Sequence, residues 1–208
     1  MTLSKKQLAI LLSQLDSNPS PDPNLEQYEI PGELAAEIIN LAFLSGDIED
    51  KTVLDLGCGS GRLAIGSALM GAKEVTGVDI DKDVLETAKK NAKKVKEISD
   101  ERIEFIHSDT IDWKGKVDTV IQNPPFGIQK EHADRIFLEK ALECGNKIYS
   151  LHRSYSKSRN FLTKYIRKHG GEIEKIIKYQ FRMPHTFKFH EKPAVTFDVD
   201  LYIVRSNS

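Results

Sequence analysis

At 208 residues and 39% hydrophobic, the chain can bury a core as one domain. Two distant cysteines, Cys58 and Cys144, without CxxC spacing, and six scattered histidines speak against a disulfide framework, a structural zinc or another metal site, and suit a reducing, cytoplasmic compartment. Net charge is −1, but residues 1–150 carry 18 Lys and Arg against 26 Asp and Glu, and residues 151–208 carry 12 against 5, so the basic C-terminal third suits a polyanionic partner.

Leu3 to Leu15 has helical periodicity, with Leu8, Leu11, Leu12 and Leu15 on one face. Ser13 and Gln14 interrupt its apolar run and no small-residue cleavage site follows, so it is neither a signal peptide nor a membrane span. Residues 18–24 concentrate three prolines in a stiff loop, which suits a linker or a lid over a pocket. Pro31 opens a second helix that runs to about Ser45, before Gly46.

Strand and helix alternate from Lys51. Thr52 to Leu56 reads as a strand, Gly57-Cys58-Gly59-Ser60-Gly61 as a glycine-rich turn, Arg62 to Met70 as a helix, and Glu74 to Val78 as a second strand ending at Asp79-Ile80-Asp81. This is the order of a nucleotide-binding half. Glycines let the backbone approach a ligand, and Asp79, 22 positions after Gly57, stands where a carboxylate accepts from both ribose hydroxyls. The G-x-G-x-G spacing differs from the G-x-G-x-x-G of dinucleotide sites and suits a ligand without phosphate, such as S-adenosylmethionine. Asp83 to Lys96 reads as a lysine-rich solvated helix and Arg102 to His107 as a third strand, beyond which Asp109 is placed to accept the cofactor's adenine amino group.

Val117 to Gln122 is a fourth, β-branched strand that must stop at Asn123-Pro124-Pro125-Phe126, because paired prolines cannot donate to a ladder. The loop then lies extended at a strand's carboxyl end, where open α/β sheets bind ligands. The Asn123 side-chain carbonyl and the Pro124 backbone carbonyl can accept both N–H bonds of an exocyclic amine. Phe126 offers a ring on which a base can stack. Beyond the loop, His132 to Leu142 reads as a helix, Lys147 to Leu151 as a fifth strand, and Ser156 to His169 as a basic helix. Glu172 to Met183 and Thr196 to Val204 alternate as a hairpin-like edge, with His185, Lys188, His190 and Lys192 between them as candidate phosphate contacts.

The DLGCGSG turn (55–61), Asp79 and the NPPF loop together resemble the N6-adenine branch of class I methyltransferases. Leu25-Glu26-Gln27-Tyr28, Pro124-Pro125-Phe126-Gly127 and Phe187-Lys188-Phe189-His190 narrow the resemblance to the methyltransferase-like protein 5 family and its archaeal relatives. It covers nearly the whole chain. It implies a Rossmann-like α/β fold with a seven-stranded, mostly parallel sheet, an antiparallel last strand and helices on both faces. The expected organisation is one methyltransferase domain, 1–208, with N-terminal helices and a lid over 1–46 and the core over 47–208. The implied activity is N6-adenosine methylation of small-subunit ribosomal RNA, with S-adenosylmethionine as cofactor and a small zinc-binding activator as partner. By the same resemblance Gln27, Ile30, Gly57, Gly59, Ser60, Gly61, Arg62, Asp79, Ile80, Asp109 and Thr110 hold the cofactor. Asn123, Pro124, Pro125 and Phe126 handle the base. Ile30 departs from the threonine of many relatives, which removes one pocket hydrogen bond. The rivals are methylation of protein glutamine amides or DNA adenine on the same scaffold, an inactive RNA-binding module, and a nicotinamide oxidoreductase. Phe126 and the basic C-terminal third favour nucleic acid, and the absence of room for a DNA-recognition domain favours RNA.

Overall fold

The computed structural model describes residues 3–22, 25–95, 102–126, 133–184 and 194–207. Two helices come first, α1 (Lys5–Ser13) and α2 (Gly32–Leu44). There follow β1 (Thr52–Leu56), α3 (Arg62–Leu69), β2 (Glu74–Asp79), α4 (Lys82–Lys94), β3 (Ile103–His107), a 3-10 turn (Thr110–Asp112) and β4 (Val117–Gln122). The chain closes with α5 (Ala133–Cys144), β5 (Gly145–Arg153), α6 (Ser156–Lys168), β6 (Gly171–Pro184) and β7 (Ala194–Ser206).

Local signals explain these boundaries. Ser4 caps α1 in a reciprocal capping box with Gln7, and Asp81 caps α4 by accepting the Asp83 and Val84 amides. Pro31 stands at the N-cap of α2, where its missing N–H costs nothing. Gly61 caps α3 at φ 86°, and a Cβ there would lie 3.1 Å from the Phe105 ring, so conformation and space both demand glycine.

One seven-stranded sheet results, in the order β3-β2-β1-β4-β5-β7-β6. β3, β2, β1, β4 and β5 are parallel, and β7 is antiparallel to both β5 and β6. The seven-stranded sheet with an antiparallel last strand is as expected, and β6 with β7 forms its antiparallel edge pair, β7 lying against β5 and β6 outermost. Helices α1 to α3 share one apolar cluster with one face of the sheet; Leu138 and Leu142 of α5 and Leu162 and Ile166 of α6 pack against the other. Among the described residues no helix is long and apolar enough to cross a membrane. The strand order reverses between β1 and β4, and a crevice opens at their carboxyl ends.

Candidate active site

A cavity of about 300 Å³ occupies that crevice. Its base is the β1–α3 turn, one side is the ends of β2 and β3, and the other is the end of β4 with Ala133, Ile136 and Phe137 of α5. Residues 25–30 with Asn18 form the remaining wall.

The turn does what its glycines allow. Gly57 and Gly59 sit at φ 68° and 53°, and a Cβ on Gly59 would meet nothing within 4 Å, so its backbone faces open space. Asp79, 8% exposed, accepts the Gly59 amide on Oδ2 at 2.8 Å and the Asp81 amide on Oδ1 at 3.0 Å. Both oxygens are thereby aimed, and each keeps a lone pair for a ligand donor. Burial holds the Asp79 carboxyl above the usual carboxylate range. Asp55, 1% exposed, accepts the Ala64 amide on Oδ2 at 2.9 Å, while its Oδ1 is buried without a partner. Burial pushes the Asp55 carboxyl up to about 8, with Asp79 adding repulsion against the pull of the Ala64 amide. A cationic ligand group beside Oδ1 would relieve both the missing partner and the suppressed charge. Ile80 and Ile111, each 51% exposed, extend from neighbouring strand ends as an apolar rim.

The N-terminal arm is fastened at several points. Gln27 donates to Asp81 Oδ2 at 2.7 Å and accepts from the Asn18 amide group and the Asp22 backbone, so it ties the proline-rich loop to the end of β2. Arg62 is the larger clamp. Its guanidinium donates to the carbonyls of Leu12, Leu15 and Ile30 at 3.0–3.1 Å, reaches Ser17 Oγ at 3.4 Å, and pairs with Glu29 at 2.9 Å. Glu29 also accepts the Ser60 hydroxyl. Every Arg62 donor is therefore committed to protein, and Arg62 borders the cavity as the fastening of its wall.

Asn123 closes the opposite side. Its Nδ2 donates to the Tyr28 carbonyl at 2.9 Å, which fixes the amide's orientation, because only the NH2 group can satisfy a carbonyl. Asn123 Oδ1 is thereby turned the other way, buried and without a partner. Behind it, Gln122 Nε2 donates to Ser150 Oγ at 2.8 Å, and Ser150 lies 2.8 Å from His152 Nε2. His152 Nδ1 is 3.5 Å from Asp134 at the start of α5.

Of the residues singled out in sequence, Gln27, Ile30, Gly57, Gly59, Ser60, Arg62, Asp79, Ile80, Asp109, Thr110, Asn123 and Pro125 line the cavity. Gly61 stands behind it as the cap of α3, and Pro124 is buried. Phe126 is 7% exposed and packed within an aromatic cluster, stacked on Tyr28 at 6.1 Å and edge-on to Phe181 and Phe197 at 5.7 and 5.5 Å, and it is not among the residues that line the cavity. Gly127, His132 and the candidate phosphate contacts His185, Lys188, His190 and Lys192 lie outside the described residues. Sequence reasoning passed over Glu29, Ile111, Ile136 and Phe137. Ile111 could have been found as an apolar residue directly after Asp109-Thr110; α5 carries no comparable signal.

Comparison with known proteins fits this geometry. Residues 39–128 match the family model for ribosomal protein L11 methyltransferase. A Methanocaldococcus jannaschii protein without an assigned activity is 43% identical over 96% of this chain and 93% of its own. The rRNA N(6)-adenosine-methyltransferase METTL5 of Danio rerio is 33% identical over 94% of this chain and 95% of its own. Among solved structures, a candidate RNA methyltransferase from Pyrococcus horikoshii superposes with a TM-score of 0.91 at 39% identity, covering 99% of each chain.

Proposed function

This chain belongs to the family of rRNA N6-adenosine methyltransferases, and from that membership we propose that it methylates N6 of an adenosine in small-subunit ribosomal RNA, with S-adenosylmethionine as donor and Asn123 as the residue that holds the target amine. The observation that carries the assignment is the Asn123 amide. One N–H of its NH2 is donated to the Tyr28 carbonyl, which fixes the amide with its oxygen buried and unpaired, so it offers an acceptor. An exocyclic amine supplies what it lacks.

The residues around the cavity suit the cofactor. The unpartnered Asp55 Oδ1 suits an ammonium group, the two aimed oxygens of Asp79 suit a ribose diol, and the bare Gly59 backbone admits close approach. Gln27, Ser60 and Arg62 hold the wall, Ile30, Ile80 and Ile111 enclose apolar parts, and Asp109 with Thr110 borders the adenine end. When bound, S-adenosylmethionine supplies a methyl group made electrophilic by its sulfonium.

Adenine N6 is a poor nucleophile because its lone pair is delocalised into the ring. Hydrogen bonds from its two N–H groups to Asn123 Oδ1 and the Pro124 carbonyl favour a pyramidal nitrogen and aim that lone pair. The rate then comes from positioning and fixed dipoles. None of these residues needs to act as a strong base, because the nitrogen becomes acidic once methylated. The base must leave its stack to reach Asn123.

A second reading, methylation of a protein amide, draws on an 81-residue stretch 38% identical to a candidate protein N5-glutamine methyltransferase of Methanocaldococcus jannaschii, beside the ribosomal protein L11 methyltransferase match. That match ends at residue 128, so it spans the cofactor half and the NPPF loop and leaves out β5 to β7. Incubation with tritiated S-adenosylmethionine and, separately, RNA, DNA and protein extract decides between the readings. Label in RNA that digests to N6-methyladenosine supports the assignment; label only in protein as methylglutamine replaces it. A small zinc-binding activator subunit belongs to this reading as well, and full activity of the purified chain alone would remove it.

A further inference from the structure

Two helices carry many lysines, and they are not equivalent. On α4, five lysines face Asp83 and Glu86, and Lys89 pairs with Glu86 at 2.9 Å and Lys94 with Asp16 at 2.5 Å, so its charge is partly neutralised. α6 holds five basic residues and no acidic one. Its Leu162 and Ile166 pack on the sheet, and Asn160, Phe161, Lys164, Arg167 and Lys168 share the exposed face. None of Lys164, Arg167 or Lys168 forms an ion pair with a carboxylate among the described residues. The carboxylates nearest this helix are already engaged. Asp200 holds Arg159 at 2.5 and 2.6 Å, and Glu139 accepts the Tyr165 hydroxyl and lies 3.4 Å from His169 Nε2.

The same face carries exposed rings. Phe161 is 39% exposed and Tyr155, at the helix N-cap, is 55% exposed. The Arg135 guanidinium reaches across from α5 and lies 4.0 Å from the centre of the Phe161 ring and 6.0 Å from that of Tyr165, two rings that are themselves 5.4 Å apart. Cations interleaved with partly exposed rings are what a single nucleic-acid strand recognises, the cations on phosphates and the rings under bases. The position fits as well. β5 runs parallel to β4 with Ser150 beside Gln122, so Arg153 emerges on the edge that carries the NPPF loop, 5.1 Å from the Phe197 ring that packs on Phe126. α6 begins three residues later.

We propose that the exposed face of α6, with Arg135 and the Arg153–Tyr155 corner, is the track on which the RNA strand flanking the target adenosine lies. This rests on the RNA reading of the site. Phosphates meet Lys164, Arg167, Lys168 and Arg153, and Phe161 with Tyr155 supports unstacked bases.

The test is fluorescence anisotropy with single-stranded RNA of about two dozen nucleotides, read as affinity against salt, independent of turnover. Replacing Lys164, Arg167 and Lys168 together by Ala lowers the log–log salt slope by about 2, the change expected from three lost phosphate contacts on a single strand. Phe161→Leu keeps the apolar packing without the ring and weakens binding about tenfold, most visibly at high salt. The control removes Lys89, Lys90 and Lys93 from α4, the same charge change on the other lysine-rich helix, and leaves the slope unmoved. Cofactor affinity reports folding in every variant. An unchanged slope in the α6 variant, or an equal loss in the α4 variant, overturns the track. If the wild type still labels RNA, the active-site reading survives that failure. A wild type that neither binds nor labels RNA overturns both.

Discussion

Asn123 and Asp55 line the cavity and, among the described residues, each has a buried acceptor left unpaired, and they make opposite demands. Asn123→Ala removes an acceptor needed only while the amine is held, so turnover falls roughly 100-fold or more while cofactor affinity stays nearly unchanged. Isothermal titration beside single-turnover methylation checks this, and parallel loss of both would sink the assignment. Asp55 shows its role through pH. Its folded carboxyl is raised from 3.8 to about 8, so between those values the unfolded chain binds fewer protons than the folded one. Stability then falls as pH rises through that window, by about 1.4 kcal/mol per unit at most. Asp55→Asn removes this slope, so the cofactor-free variant melts roughly 10 °C or more above wild type at pH 8 and close to it at pH 4. The same variant binds S-adenosylmethionine more weakly. Calorimetric melts at the two pH values decide it, and equal slopes would refute the role given to Asp55. Asp79 and Asn123 were legible in sequence because spacing and strand-ending prolines announce them. The enclosure of Phe126 was not legible in sequence, because Tyr28, Phe181 and Phe197 come from three remote stretches of chain.

The arm between α1 and α2 behaves as an element of the site although it is mostly irregular. Arg62, 9% exposed, donates to the carbonyls of Leu12, Leu15 and Ile30, so Arg62→Met leaves three carbonyls and the Glu29 carboxylate without their cation. A loss of about 3–5 kcal/mol follows. Limited proteolysis should place the first cuts within residues 14–30, and denaturant titration gives the magnitude. Cuts elsewhere with wild-type stability would reduce Arg62 to an ordinary surface cation. Strand limits were read to within one or two residues for β1 to β4, where β-branched runs end at glycine, aspartate or proline. β5 was read short because its extension depends on β7, a partner that local sequence does not reveal. The role of Arg62 was hidden for a related reason: the groups it clasps are backbone carbonyls, which carry no side-chain signature.

At the scale of the molecule, the cavity is bounded by the N-terminal arm, β1 to β4 and the start of α5, so a ligand there joins segments far apart in sequence. Cofactor at 100 times its dissociation constant should add about 2.7 kcal/mol. For a chain of this size that raises the melting temperature by roughly 5–10 °C. Scanning fluorimetry against cofactor concentration checks it, and a flat response would mean that the cavity is not the cofactor site. The placement of β7 has a consequence for how the protein comes into being. As the chain leaves the ribosome, β5 is made with one side already matched to β4, and its other side waits for the final strand. β6 emerges earlier yet has no neighbour until β7 arrives between them. Until then two strands carry open, partly apolar edges that can pair with any extended chain nearby. β7 therefore acts as a keystone, and a chain lacking it would leave the margins of β5 and β6 open in place of one continuous sheet.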